Sequence, residues 1–370
     1  MTPVPHQPAG PLVHASAINE RALTTQKVDR RRILIVKLSS IGDVVHALPV
    51  ARSLRLGFPD AYICWAVHRS CREVVEGNPY LDEVFVLEEK TLGRLFRAGI
   101  QLRAKGFDTA IDLQGLFVSG LLTWLSGSRD RIGFIGNQEM RRLFINRPSV
   151  RSNRRMLPPY CYMEFAVAAG GPSLEPAPEI FVSAEHRRAA GELLAPALSR
   201  GGPIVALNPG ARWDTKRWSI EGFAAVADQL MDEHGAEVVI IGGPGDRPLA
   251  DAIAAKMRSN PLSIAGQTSL KTLAAVFERS AIYLGGDTGP MHIAAAMGTP
   301  VLAIFGPTDP EKTGPVGSPY RIIRHEVPCG PCRLHECGHH TCMKRVTPEE
   351  VTIAALELIR SPVLRTPREG

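Results

Sequence analysis

The chain has 370 residues, 44% of them hydrophobic, and a formal net charge of +6. That length exceeds what one compact core organises and that composition excludes a wholly disordered chain, so two domains are expected. No apolar run approaches the roughly 20 residues that cross a bilayer, and no apolar leader with a cleavage site opens the chain, so a cytoplasmic protein is expected.

Residues 1–31 lack periodicity and carry Pro, Ala and polar residues, which predicts a disordered basic tail. Together with Arg32, this segment holds Arg21, Lys27, Arg30 and Arg31 against Glu20 and Asp29, half of the excess charge. The rest is mildly basic, which suits a phosphate-bearing substrate or an anionic membrane surface and does not require nucleic acid.

From Ile33 onward, short β-branched and aromatic runs alternate with segments of helical period. The runs are Ile33 to Val36, Tyr62 to Val67, Val84 to Val86 and Thr109 to Leu113; between the first two, Val44, Ala47, Leu48, Ala51 and Leu54 line one helix face. A polar stretch from Arg147 to Pro159 and a looser segment from Gly170 to Gly202 follow. The alternation then restarts at Ile204 to Leu207 and continues through Val238 to Ile241, Ala281 to Leu284 and Val301 to Phe305. A helix from Pro348 to Arg360, with Val351, Ala354, Ala355 and Leu358 on one face, ends the pattern. The expected fold class is α/β, two Rossmann-like doubly wound domains with parallel sheets. The boundaries expected are a tail at 1–31, a first domain at 32–175, a second at 176–345, and a C-terminal helix and tail at 346–370.

Ligands gather where parallel strands run into helix N-termini, and four loops occupy such positions. In the loop Lys37 to Asp43, Gly42 permits a tight turn, and Asp43 reads either as a helix-start residue or as a general base facing a cleft. Partial desolvation there is expected to raise its pKa. The loop Asn208 to Trp218 brings Gly210, Arg212, Lys216 and Arg217 in front of a helix capped by Ser219, a pattern suited to phosphate oxygens. The turn Gly242-Gly243-Pro244-Gly245-Asp246 permits close backbone approach but is a weak signal alone. The loop Gly285 to His292 places Pro290 at the first helical position, the amides of Thr288 and Gly289 toward an anion, and Asp287 toward sugar hydroxyls. His292 reads equally as a packed histidine.

Four ordered motifs together resemble glycosyltransferase family 9, the ADP-heptose:lipopolysaccharide heptosyltransferases. They are the run from Lys37 to Pro49, Asn208-Pro209-Gly210 with Lys216-Arg217-Trp218, the run from Gly286 to His292, and Phe305 to Pro310. The resemblance spans about Ile33 to Arg360. It implies a GT-B architecture facing a central cleft, with the acceptor on the N-terminal domain, the nucleotide sugar on the C-terminal domain, and inversion at the anomeric centre. It makes Asp43 the catalytic base and Lys216 the diphosphate-contacting lysine. It implies a donor-site motif of Asp287, Thr288, Gly289 and His292 beside Lys216, and the loop positions add Asn208, Gly210, Arg212 and Gly243 as candidate donor-binding residues. The resemblance implies an ADP-sugar donor and a lipid-linked saccharide acceptor, admits peripheral contact with the inner membrane, and gives no expectation of nucleic acid. No Asp-x-Asp motif occurs, in keeping with metal-independent transfer. Arg69, Arg72, Arg151, Arg154 and Arg155 are candidate acceptor contacts or solvated surface.

Cys329, Cys332, Cys337 and Cys342 have a spacing that resembles a zinc knuckle and can close a structural tetrahedral zinc site; reduced thiols in a loop are the plain alternative. Two rival functions follow: a nucleic-acid-binding protein, disfavoured because no aromatics interleave the cluster, and a GT-B-like nucleotide-sugar epimerase.

Overall fold

The computed structural model describes residues 32–135, 141–151 and 157–360, without the side chains of 141, 142 and 151. The predicted basic tail, Arg154, Arg155 and residues 361–370 lie outside the described residues.

The first half runs β1 (Arg32–Val36), α1 (Ile41–Gly57), β2 (Tyr62–His68), α2 (Arg72–Val75), β3 (Glu83–Leu87), α3 (Leu92–Ala104), β4 (Thr109–Asp112), α4 (Phe117–Leu125), β5 (Asp130–Ile135), α5 (Arg141–Phe144), β6 (Arg147–Arg151) and α6 (Pro158–Ala169). The second half begins with α7 (Ala184–Leu198), β7 (Ile204–Asn208), α8 (Ile220–Asp232), β8 (Glu237–Ile240), α9 (Arg247–Lys256), β9 (Leu262–Ser263) and α10 (Leu270–Glu278). It continues through β10 (Ile282–Gly286), α11 (Gly289–Ala296), β11 (Val301–Ile304), α12 (Pro310–Thr313), β12 (Tyr320–Ile323), α13 (Thr341–Lys344) and α14 (Pro348–Arg360).

The strands form two six-stranded parallel sheets, ordered β3-β2-β1-β4-β5-β6 and β12-β11-β10-β7-β8-β9. In each, the first strand of the half lies centrally and the order reverses beside it, between β1 and β4 and between β7 and β10. A ligand crevice opens at such a reversal, because the loops on either side run to opposite faces of the sheet. Central strands buried on both faces need continuous apolar runs: Ile33, Leu34, Ile35 and Val36 are fully buried, as are Val205, Ala206 and Leu207.

The segment from Gly170 to Gly202, read from sequence as loose, contains the 15-residue helix α7. Ser183 caps it by accepting the His186 N–H, and Ala190, Leu194 and Ala197 bury one face against α10 and β8. Its exposed polar face diluted the periodicity. α14 packs on α8 and β12 through Val351, Ala354 and Ala355, completing the second half. One apolar cluster runs from Ile33 and Val44 through to Met291 and Ala294, so the two halves share packed surface where α1 meets α11.

Candidate active site

The loop between β1 and α1 is held at the sheet's reversal point. Gln114, just beyond β4, accepts the amides of Leu38 (2.8 Å) and Ser39 (3.2 Å) through Oε1. Ser40 is extended and precedes the helix, and Asp43 Oδ2 accepts the Ser40 amide (3.1 Å) and hydroxyl (2.7 Å). That satisfies a donor at the helix start, where backbone N–H groups lack intrahelical partners. Asp43 also lines the cleft, so the two readings of this residue are compatible.

Behind Asp43 sits Lys37, only 3% exposed, whose ammonium donates to Tyr162 Oη (2.7 Å) and the Leu113 carbonyl (3.3 Å). Burial lowers the Lys37 pKa, while Asp43 and Asp112 oppose that shift. For Asp43, burial pushes the carboxyl up, but the Lys37 charge and the two Ser40 hydrogen bonds outweigh it and hold the pKa below the usual carboxylate value. This corrects the expectation of a raised pKa: desolvation acts as expected, and a buried cation overrides it. The carboxylate is ionised at neutral pH, with less intrinsic basicity than a raised pKa would give.

On the facing half, Asn208 ends β7, buried, with Nδ2 donating to Tyr283 Oη (3.0 Å) and Thr288 Oγ1 (3.1 Å). Gly210 follows where a Cβ would lie 2.4 Å from Asp246 Oδ1, so the loop passes that carboxylate only as glycine. Lys216 Nζ donates to Asp287 Oδ2 at 2.7 Å, with the two side chains 16% and 5% exposed. Thr313 Oγ1 donates to the same oxygen at 3.1 Å. Ser219 caps α8 through the Gly222 amide, as its position predicts. α11 starts at Gly289, with Thr288 extended before it and making no side-chain cap, so Pro290 stands one residue deeper than expected.

The two constellations face each other. Asp43, Asn208, Gly210, Arg212, Lys216, Asp287, Thr288, Gly289 and His292 all line one cleft of about 840 Å³ between the halves. A Cβ on Gly42 would come within 2.4 Å of the His292 ring, and one on Gly289 within 3.0 Å of Ile41, so glycine on each side permits the approach of α1 and α11. His46 and His292 meet edge to face across that seam, centroids 4.4 Å apart, and His46 Nε2 and His292 Nδ1 are buried without hydrogen-bond partners.

Both imidazoles are pushed toward the neutral form. Burial leads in each case; His292 and Lys37 add to it at His46, where Asp43 opposes, and Lys216 adds at His292, where Asp287 and Asp43 oppose. A histidine whose folded pKa is depressed binds fewer protons than in the unfolded chain, so its contribution is complete above the unfolded value of about 6.5 and is lost as pH falls below it. The unfolding free energy read from urea titrations is therefore expected to drop between pH 7.5 and 5.5, at up to about 1.4 kcal/mol per pH unit for each histidine. His46→Phe should flatten that slope; an unchanged slope would exclude the seam as its source.

Several expected contacts lie elsewhere. Gly243 does not line the cleft, because its amide closes the turn onto Asp246 Oδ2 (2.8 Å), and Gly245 and Asp246 reach the cleft instead. Arg217 lines the cleft, but its guanidinium holds the loop through the Ala211 carbonyl (3.1 Å) and Asp214 (2.5 Å), which leaves Arg212 as the exposed cation of this loop beside Lys216. Arg69 and Arg72 line a separate cavity toward α7 and α10, and Arg72 pairs with Glu76. Among the described residues no three His, Cys, Asp or Glu side chains are grouped to hold a metal. Cys329, Cys332, Cys337 and Cys342 are all free thiols. Cys342 is buried near Gly306 and Met343, Cys337 Sγ accepts the His340 amide, and Cys329 is exposed.

His46, His68, Ser70 and Lys90 line the cleft and were not singled out in the sequence. His46 lies three residues beyond Asp43 on α1, so helical spacing could have found it. His68 ends β2 and Lys90 follows β3, so the C-terminal-end rule applied to those strands would have pointed to them.

Two parallel sheets across a cleft, with a carboxylate on one wall and a cation backed by a helix start on the other, define a GT-B transferase of the nucleotide-sugar class. The sequence profile of glycosyltransferase family 9 (heptosyltransferase) matches residues 95–342, and the chain belongs to that family. It is 28% identical over 304 residues to the lipopolysaccharide core heptosyltransferase OpsX of Haemophilus influenzae, covering 79% of this chain and 84% of the relative. Among solved structures, the glycosyl transferase family 9 protein of Veillonella parvula superposes with a TM-score of 0.80 at 25% identity, covering 90% of this chain and 98% of that one. The E. coli ADP-heptose lps heptosyltransferase II superposes with a TM-score of 0.75 at 27% identity, covering 89% and 98%. Membership of this family favours transfer over the epimerase and nucleic-acid readings.

Proposed function

We propose that the protein is an inverting heptosyltransferase that moves a heptose from ADP-heptose to the inner core of lipopolysaccharide, onto a Kdo or a heptose already in place. The reading is supported most directly by Asp43 lining the same cleft as Lys216 and Asp287. The N-terminal half holds the acceptor, with Lys90 and His68 on that wall of the cleft, and the C-terminal half holds the nucleotide sugar.

Transfer is a single displacement. The acceptor hydroxyl oxygen forms a bond to the anomeric carbon while its proton passes to Asp43, and the bond from that carbon to the diphosphate breaks on the opposite face. Negative charge develops on the departing ADP, where Lys216, Arg212 and the amides of Thr288 and Gly289 stabilise it. These groups supply the stabilisation without a divalent metal in the scheme. No helix among the described residues is long and apolar enough to cross a membrane. A peripheral enzyme on the cytoplasmic side of the inner membrane meets a lipid-linked acceptor and a dissolved donor together.

The test is intact-mass detection of product after incubating purified protein with ADP-heptose and lipid A carrying a truncated core. A mass gain of one heptose, with ADP released only when acceptor is present and in the presence of a chelator, is expected. Donor conversion without acceptor would favour epimerisation and sink the proposal.

A further inference from the structure

The Cys-rich loop takes no part in the transfer scheme, yet it packs behind the donor wall of the cleft. Thr215 Oγ1 donates to the Leu334 carbonyl (2.8 Å), and the Arg333 amide donates to the Pro307 carbonyl (2.9 Å). Directly after these anchors the His335 ring lies on the indole of Trp213, centroids 3.9 Å apart and planes 30° apart. The Lys216 ammonium stands 4.5 Å from the centroid of that same indole. Trp213 and Lys216 line the cleft; His335 does not.

We propose that His335 is a positioning residue for the donor diphosphate: stacked on Trp213, it fixes the indole against which the Lys216 ammonium rests. This rests on the reading of Lys216 as the diphosphate contact. A lysine side chain has a flexible four-carbon stem, and one ion pair constrains its head from one direction only. Asp287 supplies that pair, and the π face supplies a second attraction that a charged head group can keep while a phosphate approaches. Trp213 is only half-buried and takes its orientation in part from the imidazole laid on it. The loop that carries four cysteines thereby becomes a support of the nucleotide pocket, through its histidine and not through its thiols.

Calorimetric titration with ADP and with AMP tests the assignment, using the full chain and the variants His335→Ala, His335→Phe, Trp213→Ala and the double alanine variant. His335→Ala is expected to weaken ADP about threefold to tenfold, the range of an aromatic pair, with AMP affinity and the thermal midpoint nearly unchanged. His335→Phe, which can stack, should restore ADP binding to within about twofold, and His335→Ala should add little to Trp213→Ala. Unchanged ADP affinity in His335→Ala, a Phe variant as weak as Ala, or an equal loss for AMP would each overturn the proposal. Failure of the unaltered protein to bind ADP would instead overturn the donor reading, and this inference with it.

Discussion

Replacing Asp43 by Asn is expected to lower turnover by about 10²- to 10⁴-fold, the range supplied by a positioned general base, while ADP affinity stays within a few-fold. Asparagine keeps an oxygen that can accept the Ser40 amide, so the start of α1 retains its cap. What disappears is the anionic acceptor for the hydroxyl proton. The variant also removes one of the two carboxylates that favour the charged form of Lys37, leaving Asp112, the Tyr162 hydroxyl and the Leu113 carbonyl around it. The pH profile of the unaltered enzyme carries a matching signature. With the Asp43 pKa depressed, the carboxylate stays ionised, and its part in turnover is lost only as pH falls through that lowered value in the folded enzyme. The acid limb of turnover should therefore not report a group titrating near 6 that belongs to Asp43. Single-turnover rates near those of the unaltered protein in Asp43→Asn would remove this residue from the base role.

Lys216→Met should lower kcat by about 10²- to 10³-fold, as expected when one preorganised donor to a developing anion is lost. It should also destabilise the fold, because Asp287, 5% exposed, keeps the Thr313 hydroxyl but loses its cation. Leaving one member of a buried pair unpartnered costs about 3–5 kcal/mol, and here the partial exposure of Lys216 puts the expected loss toward the lower end. Adding Asp287→Asn to Lys216→Met separates the two effects. The second change removes the stranded charge, so the denaturation midpoint should recover in part while turnover stays low. Recovery of turnover along with stability would mean that Lys216 serves the fold and not the departing diphosphate.

The central strands were legible because a strand covered on both faces must be apolar throughout, as Ile33 to Val36 and Val205 to Leu207 are. β12, Tyr320–Ile323, and the two-residue β9 escaped notice: both lie at sheet edges, and an edge strand needs no continuous apolar run. α7 escaped because its buried stripe is narrow and its other faces are polar. The loops of the site were readable for a local reason, since glycine, a cap residue and a strand end must sit within a few positions of one another.

Contacts between distant positions were not readable in this way. Lys37 and Tyr162 are 125 residues apart, and only the packing of α6 against α1 brings the hydroxyl onto the ammonium. The sign of the Asp43 shift is set by Lys37 and Ser40, six and three residues before it, whose charge and hydrogen bonds the folded loop turns onto the carboxylate. His46 against His292 and His335 on Trp213 are likewise contacts between distant positions. Local backbone chemistry written over five or ten residues specified which loops would carry the reaction. Charge balance inside the cleft depends on distances of a few ångströms between separate elements, and those distances exist only once the helices and loops have packed within each half and across the seam.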